Sequence, residues 1–133
     1  MKIALIDDNK TVLMVNEVML KKEGFTSSND DVSKFTNIEE FYTDKKKEFT
    51  DNFEIIVCDY NLGENSMNGL EFFKCIISEG YKGTCVLLTG DDSITMKTKM
   101  LLHPNINYII KNNEKNNNGT IFQLGQIILN QRS

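Results

Sequence analysis

The chain has 133 residues, of which 40% are hydrophobic and 26% are charged. This length and balance are typical of one globular domain with a continuous core, so we expect a single domain over residues 1–133. Lysine and arginine number 15 against 19 aspartates and glutamates, and the resulting net charge of −4 argues against direct nucleic acid binding. No apolar run approaches the roughly 20 residues of a membrane helix, so we expect a cytoplasmic protein without membrane insertion.

The chain is poor in the ligands that bind zinc and other transition metals. Its three cysteines, Cys58, Cys75 and Cys85, form no CxxC pair and are predicted to be reduced and mostly buried. The single histidine, His103, precedes a proline and is predicted to lie on the surface in a loop. A metal site built on several imidazoles or thiolates is therefore not expected.

Strands and helices are predicted to alternate along the chain. The strands are short and almost continuously apolar, which is typical of a parallel sheet covered on both faces. The helices carry apolar residues on one face and end near glycines. The first half contains a strand at Ile3–Ile6, a helix with Val12, Val15 and Met19 on one face that ends at Gly24, a loop at Thr26–Asp31, a weaker strand at Val32–Phe35, a helix near Ile38–Lys47 and a strand at Ile55–Cys58.

The second half repeats this alternation. It contains a helix at Gly69–Glu79 with Leu70, Phe73 and Ile77 on one face and Gly80 as its end, a strand at Val86–Leu88, a helix near Ser93–Leu102, a strand at Tyr108–Ile110, a loop at Asn112–Gly119 and a helix with Ile121, Leu124 and Ile128 on one face. Right-handed crossovers then predict an α/β fold of the flavodoxin-like, doubly wound type, with five helices around a five-stranded parallel sheet of order 2-1-3-4-5.

Polar side chains stand directly after four of the predicted strands. They are Asp7 and Asp8, Asp59, Thr89 and Lys111. Because ligands of open α/β sheets bind beyond the carboxyl ends of the strands, these side chains are expected to share one crevice. Clustered carboxylates repel one another unless a cation compensates them, and oxygen ligands without histidine or cysteine favour Mg²⁺.

These groups are suited to phosphoryl transfer onto a carboxylate. A carboxylate can attack phosphorus and form an acyl phosphate if the phosphoryl oxygens are neutralised from several directions. In this hypothesis Asp59 is the nucleophile, Asp8 binds Mg²⁺ directly and Asp7 helps to hold it through water. Thr89 and Lys111 bind phosphoryl oxygens.

The motifs around these residues resemble the receiver domain of bacterial response regulators, the family of the chemotaxis response regulator. The resemblance covers nearly the whole chain. It rests on the two acids in ALIDD, on Asp59 in IIVCDYNL, on Thr89 in VLLTG and on Lys111 in YIIK. Each residue alone has an ordinary explanation, such as a helix N-cap or a solvated charge, but the joint occurrence at strand ends favours function.

The resemblance implies further roles and partners. The backbone carbonyl of Asn61 is expected to bind Mg²⁺, and Tyr108 is expected to turn inward when Thr89 moves toward the phosphate. The domain is expected to take its phosphoryl group from a sensor histidine kinase or a histidine phosphotransfer protein and to act on a downstream protein target. As a phosphoacceptor in a two-component system or phosphorelay, without an output domain in this chain, it would catalyse only its own phosphorylation and dephosphorylation.

The chain also departs from the family pattern. The loop from Asn61 to Asn68 lacks the usual proline, and Gly69 follows the nucleophile later than usual. Asn112 replaces the proline that in the family follows Lys111 through a cis peptide bond. Because a cis bond before a non-proline residue is more costly by roughly 2 kcal/mol or more, this loop is expected to differ from the family's.

Two other functions compete with this hypothesis. An aspartate-nucleophile phosphohydrolase requires a D-x-D-x-T signature, which Asp59-Tyr60-Asn61 does not provide, and no cap domain is expected from the sequence. The second alternative is a receiver-like interaction module that works without phosphorylation, because a fold can persist after its chemistry is lost. The presence of all five site residues favours the phosphoacceptor.

Overall fold

The computed structural model describes residues 1–45, 53–111 and 118–132. Within them, five parallel strands form one sheet in the order β2-β1-β3-β4-β5. The strands are β1 (Lys2–Ile6), β2 (Asp31–Phe35), β3 (Ile55–Asp59), β4 (Thr84–Thr89) and β5 (Ile106–Ile110). The helices are α1 (Lys10–Lys22), α2 (Ile38–Lys45), α3 (Gly69–Ser78), α4 (Ile94–Leu101) and α5 (Asn118–Arg132). The predicted flavodoxin-like α/β fold is therefore confirmed.

Some boundaries differ from the prediction. Strand β5 begins at Ile106 rather than Tyr108, and α5 begins at Asn118, so Gly119 is helical rather than part of a loop. Three parts of the prediction lie outside the described residues. They are the predicted Asn112–Gly119 loop up to residue 117, the last two residues of the predicted Ile38–Lys47 helix, and the Lys111–Asn112 bond. Across the three described segments, no helix is long and apolar enough to cross a membrane.

The sheet separates two hydrophobic clusters. Alternating residues of a strand point to opposite faces, so Ile3 and Leu5 belong to one cluster while Ala4 and Ile6 belong to the other. The first cluster contains the buried residues of α1 and α5, and the second contains those of α2, α3 and α4. Both faces of every central strand are thus covered, which explains the continuous apolar runs in the sequence.

The buried face of α1 is not the one predicted. Leu13, Asn16 and Leu20 are buried, whereas Val15 is 44% exposed. Apolar residues lie all around this helix, so helical periodicity did not distinguish the face that packs on the sheet. In α5 the predicted face of Ile121, Leu124 and Ile128 is buried as expected, and in α3 the buried set extends to Phe72 and Ile76.

The cysteines largely follow the prediction. Cys58 and Cys85 are buried, Cys75 is exposed, and all of them are free thiols. Burial raises the pKa of Cys85 to about 12 and that of Cys58 well above its ordinary value. His103 is half-buried in the turn that follows α4. Cys58 and Cys85 are therefore protonated packing groups rather than nucleophiles.

An ion pair fastens the end of α5 to the α1–β2 loop, at the amino edge of the sheet. Arg132 Nη2 donates to Asp30 Oδ2 at 2.6 Å and to the carbonyl oxygen of Phe25 at 3.2 Å. Asp30 Oδ2 also accepts from the backbone N–H of Ser27 at 2.8 Å, and its side chain is only 2% exposed. The bond from Arg132 is the main reason that the pKa of Asp30 is lowered to about 2.

We expect Asp30→Ala to lower the free energy of unfolding at neutral pH by about 1–3 kcal/mol, because it leaves partly buried donors without an acceptor. The pKa is depressed in the folded state, so this stabilisation is present above the ordinary value of 3.8 and is lost as pH falls toward 2. Urea denaturation at neutral and acid pH measures it.

Glu17→Ala is the matched control. Glu17 Oε1 lies 2.6 Å from Lys34 Nζ, but these side chains are 34% and 35% exposed. An exposed pair of this kind contributes about 0.2–1 kcal/mol. Equal losses in the two variants would show that the Asp30 pair contributes no more than a surface ion pair.

Candidate functional site

The five polar residues predicted from the sequence lie at the carboxyl edge of the sheet. Asp7 and Asp8 follow β1, Asp59 and Thr89 end β3 and β4, and Lys111 follows β5. Carboxylate oxygens of the three aspartates lie within 4.8 Å of one another. Lys111 Nζ donates to Asp59 Oδ1 at 2.8 Å. The fold therefore brings three acids and a lysine from distant parts of the chain into one cluster.

Asp7 is held in place by its backbone bond to β2 and by a side-chain bond at the start of α1. Its backbone N–H donates to the carbonyl oxygen of Phe35 at 3.1 Å, which extends the pairing of β1 with β2. Its Oδ1 accepts from the backbone N–H of Asn9 at 2.8 Å. The Asn9 side chain in turn accepts from the first turn of α1 as its N-cap. The start of α1 thus sets the position of the carboxylate.

Asp59 is fixed by the close approach of α3. The next residue, Tyr60, donates its N–H to Leu88 and accepts from the N–H of Gly69 at 2.9 Å. A Cβ atom on Gly69 would lie 2.5 Å from the carbonyl oxygen of Asp59 and 2.8 Å from Leu87 Cδ1. Only glycine lets the backbone of α3 come this close to β3 without displacement.

Thr89 is buried beside the acids at the end of β4. It follows Leu88, which pairs with Asp59, and only 2% of it is exposed. Its Oγ1 accepts from the backbone N–H of Asp91 at 3.0 Å, and its carbonyl oxygen accepts from the N–H of Lys111 at 2.7 Å. Because Oγ1 acts as the acceptor in this bond, its hydroxyl can still donate its hydrogen to another group.

Burial makes the negative charges of this cluster costly. The pKa of Asp7 is raised to about 6, mainly by burial and further by Asp59 and Asp8, while the N–H of Asn9 and the charge of Lys111 oppose the rise. Burial also raises the pKa of Asp59, against the hydrogen bond and charge of Lys111. A cation would favour the ionised forms, and the carboxylate oxygens suit a hard ion such as Mg²⁺.

The other two predicted residues are less closely tied to the cluster. Asn61 is exposed and lies two residues after Asp59, and its carbonyl as a metal ligand stays a prediction. Tyr108 lies in the middle of β5, pairs with Leu87 and is 37% exposed. The side chain therefore faces outward, and its proposed inward turn is likewise untested.

Two residues of the site were not predicted as functional. The motifs of the sequence do not assign Asn9 a role, although an asparagine directly before a helical segment is a recognisable N-cap signal. Gly69 stands out in the sequence only by its late position, and its contact with Asp59 depends on how α3 crosses β3. That crossing is a tertiary feature, and no local sequence pattern reports it.

A comparison with protein families identifies the chain. The sequence model of the response regulator receiver domain matches residues 3–119. The chain belongs to this family. A comparison with curated proteins finds no significant match.

Solved receiver structures share the fold at low sequence identity. The response regulator receiver domain from Rhodospirillum rubrum is 22% identical with a TM-score of 0.75, over 97% of this chain and 94% of that one. The CheY-like receiver domain protein from Methanospirillum hungatei is 19% identical with a TM-score of 0.69, over 98% and 95%. The BeF3-activated receiver domain of DrrB, from Thermotoga maritima, is 22% identical with a TM-score of 0.68, over 97% of each chain.

We expect Asp7→Asn to stabilise the metal-free receiver domain at neutral pH by roughly 1–3 kcal/mol, because it removes a buried charge. The pKa of Asp7 is higher in the folded state, so native stability falls as pH rises from 3.8 to about 6. Denaturation in chelator across this window should show a steeper loss of stability in the original protein than in Asp7→Asn, in which the raised pKa of Asp59 leaves a smaller slope. The exposed Asp31→Asn serves as control, and an equal slope in Asp7→Asn and the original protein would contradict the assignment.

Gly69→Ala should lower the free energy of unfolding by about 1–3 kcal/mol, because the new methyl group overpacks against Asp59 and Leu87. Gly90→Ala is a suitable control, since a Cβ there has no neighbour within 4 Å. Urea denaturation measures stability, and the Asp59 amide resonance reports displacement of β3. Equal stability in the two variants would rule out the tight approach.

Proposed function

We propose that this receiver domain accepts a phosphoryl group on Asp59 in the presence of Mg²⁺ and thereby switches a protein-interaction surface. The observation that carries the proposal is the cluster itself. Asp59 lies in reach of two further carboxylates, and Lys111 is 2.8 Å from its Oδ1. An isolated acid at a strand end would need neither of these arrangements.

The proposed step is an in-line transfer from phosphohistidine. A carboxylate oxygen of Asp59 forms a bond to phosphorus as the bond from phosphorus to the imidazole nitrogen breaks, and the electron pair leaves with the imidazole. Bound Mg²⁺ would supply positive charge to the phosphoryl oxygens. Asp7, Asp8, Asp59 and the carbonyl of Asn61 would hold it, and their hard oxygen atoms fit this ion.

Lys111 and Thr89 complete the proposed site. Lys111 already contacts the carboxylate of Asp59, so a small movement of its ammonium brings it to a phosphoryl oxygen. Thr89 Oγ1 accepts from the N–H of Asp91, and this bond leaves the hydroxyl able to donate its hydrogen to a phosphoryl oxygen. The ammonium would neutralise charge on the phosphoryl oxygens, and the hydroxyl would donate a hydrogen bond to one of them.

The proposed output surface lies on α4, β5 and α5. A shallow groove there is lined by side chains that include Met100, Leu101, Tyr108 and Ile127. Leu101 is 79% exposed and Tyr108 is 37% exposed, so an inward turn of Tyr108 would change the apolar area offered to a partner. A downstream protein would read that change.

The proposed partners follow from the chemistry. A sensor histidine kinase or a histidine phosphotransfer protein would supply the phosphoryl group, and hydrolysis of the acyl phosphate would reset the switch. Such a domain turns over only its own modification and is not an enzyme acting on a separate substrate. Similarity to the BeF3-activated DrrB receiver domain suggests beryllofluoride as a probe of the same state.

The test compares the original protein with Asp59→Asn, which removes the nucleophile and keeps the shape. With Mg²⁺ and acetyl phosphate, intact mass should show a gain of one phosphoryl group in the original protein and none in the variant. Asp31→Asn, an exposed aspartate at the start of β2, should behave like the original protein. Chelation of Mg²⁺ should abolish the gain.

Two outcomes would count against the proposal. Equal phosphorylation of Asp59→Asn would place the acceptor elsewhere. An original protein that takes up no phosphoryl group and shows no NMR response to beryllofluoride with Mg²⁺ would favour an interaction module that works without phosphorylation.

A further inference from the structure

The loop between β3 and α3, residues 60–68, lies against the acidic cluster. Leu62 is buried with 6% exposure and anchors the loop to the core. The next residue, Gly63, has φ of +96°, a left-handed conformation that side chains of L-residues rarely adopt. The backbone beside the site therefore takes up this conformation at a residue without a side chain.

Gly63 faces one of the carboxylates directly. A Cβ atom built on it would lie 3.6 Å from Asp8 Oδ2. That distance is ordinary contact between carbon and oxygen, so an alanine methyl would touch this oxygen and displace any water between them. Asp8 is the exposed member of the cluster, and with glycine at residue 63 no side chain of that residue covers its Oδ2.

The other described glycines with positive φ have no such neighbour. Gly24 and Gly80 have φ of +81° and +104°, and a Cβ at either position has nothing within 4 Å. They end α1 and α3 and are explained by backbone conformation alone. Gly63 combines the same conformational need with contact to a site residue, and the two effects can therefore be separated by substitution.

We propose that Gly63 is a positioning residue of the site, which keeps Oδ2 of Asp8 open to Mg²⁺ and to the waters that the ion retains. Mg²⁺ keeps several waters of its octahedral shell when it binds protein carboxylates, and those waters need space beside the ligand oxygens. A methyl group at residue 63 occupies that space and removes hydration from Oδ2. The inference rests on the proposed Mg²⁺-dependent function.

The experiment measures Mg²⁺ affinity rather than phosphorylation. Mg²⁺ is titrated into the full chain while the amide resonances of Asp8 and Asp59 are followed by NMR. Gly63→Ala should raise the dissociation constant roughly tenfold, at the lower end of effects seen for groups around metal ligands. Gly80→Ala carries a similar conformational penalty away from the contact and should leave the dissociation constant unchanged.

A second variant guards against simple failure to fold. Asparagine tolerates positive φ better than alanine, so Gly63→Asn should be less strained while still filling the space beside Asp8. It should therefore weaken Mg²⁺ binding while remaining more stable than Gly63→Ala in urea. Weaker Mg²⁺ binding together with this higher stability would show that the space filled beside Asp8, rather than backbone strain, causes the loss of affinity.

The outcomes separate this inference from the proposed function. If the original protein binds Mg²⁺ and both Gly63 variants bind it equally well, only the role of Gly63 is overturned. The same follows if Gly80→Ala weakens binding as much as Gly63→Ala, because general strain then suffices. An original protein that does not bind Mg²⁺ overturns both.

Discussion

Mutual repulsion among three aspartates is the constraint on which the rest of this structure depends. Their carboxylate oxygens lie within 4.8 Å of one another, and Asp7 is buried deeply enough for its pKa to reach about 6. Such a cluster lowers stability unless positive charge is close by. Lys111 is the positive charge that the chain itself places there, against Asp59 Oδ1. The site is therefore incompletely compensated, which predisposes it to bind a cation.

The surrounding fold holds the three aspartates close together in spite of their mutual repulsion. The parallel sheet aligns the ends of β1, β3, β4 and β5, and hydrophobic clusters cover both of its faces. Local contacts then position two of these residues. The N–H of Asn9 donates to the Asp7 carboxylate, and the backbone of Gly69 approaches the backbone carbonyl of Asp59. Burial of the two apolar layers stabilises the fold. Because those layers are large, their contribution can offset the electrostatic cost of clustered carboxylates at the edge of the sheet.

Much of this arrangement could be predicted from the sequence because it depends on local patterns. Short apolar runs identified the strands, and polar residues directly after them identified Asp7, Asp8, Asp59, Thr89 and Lys111. The buried face of α1 was predicted wrongly, because Val15 and Leu13 are both apolar and only packing selects Leu13. The roles of Gly63 and Gly69 also could not be predicted, since each depends on an atom of another segment at close range.

The ion pair between Asp30 and Arg132 has a mechanical consequence. It fastens α5 to the α1–β2 loop at the amino edge of the sheet, and a bond of 2.7 Å between Thr84 Oγ1 and Gln131 Oε1 fastens the same end to β4. The opposite end of α5 lies on the side of the sheet where Lys111 contacts Asp59. Ile121, Leu124 and Ile128 also pack the helix on the sheet along its length. Sliding of α5 along its own axis would therefore have to break both of these polar contacts at its carboxyl end.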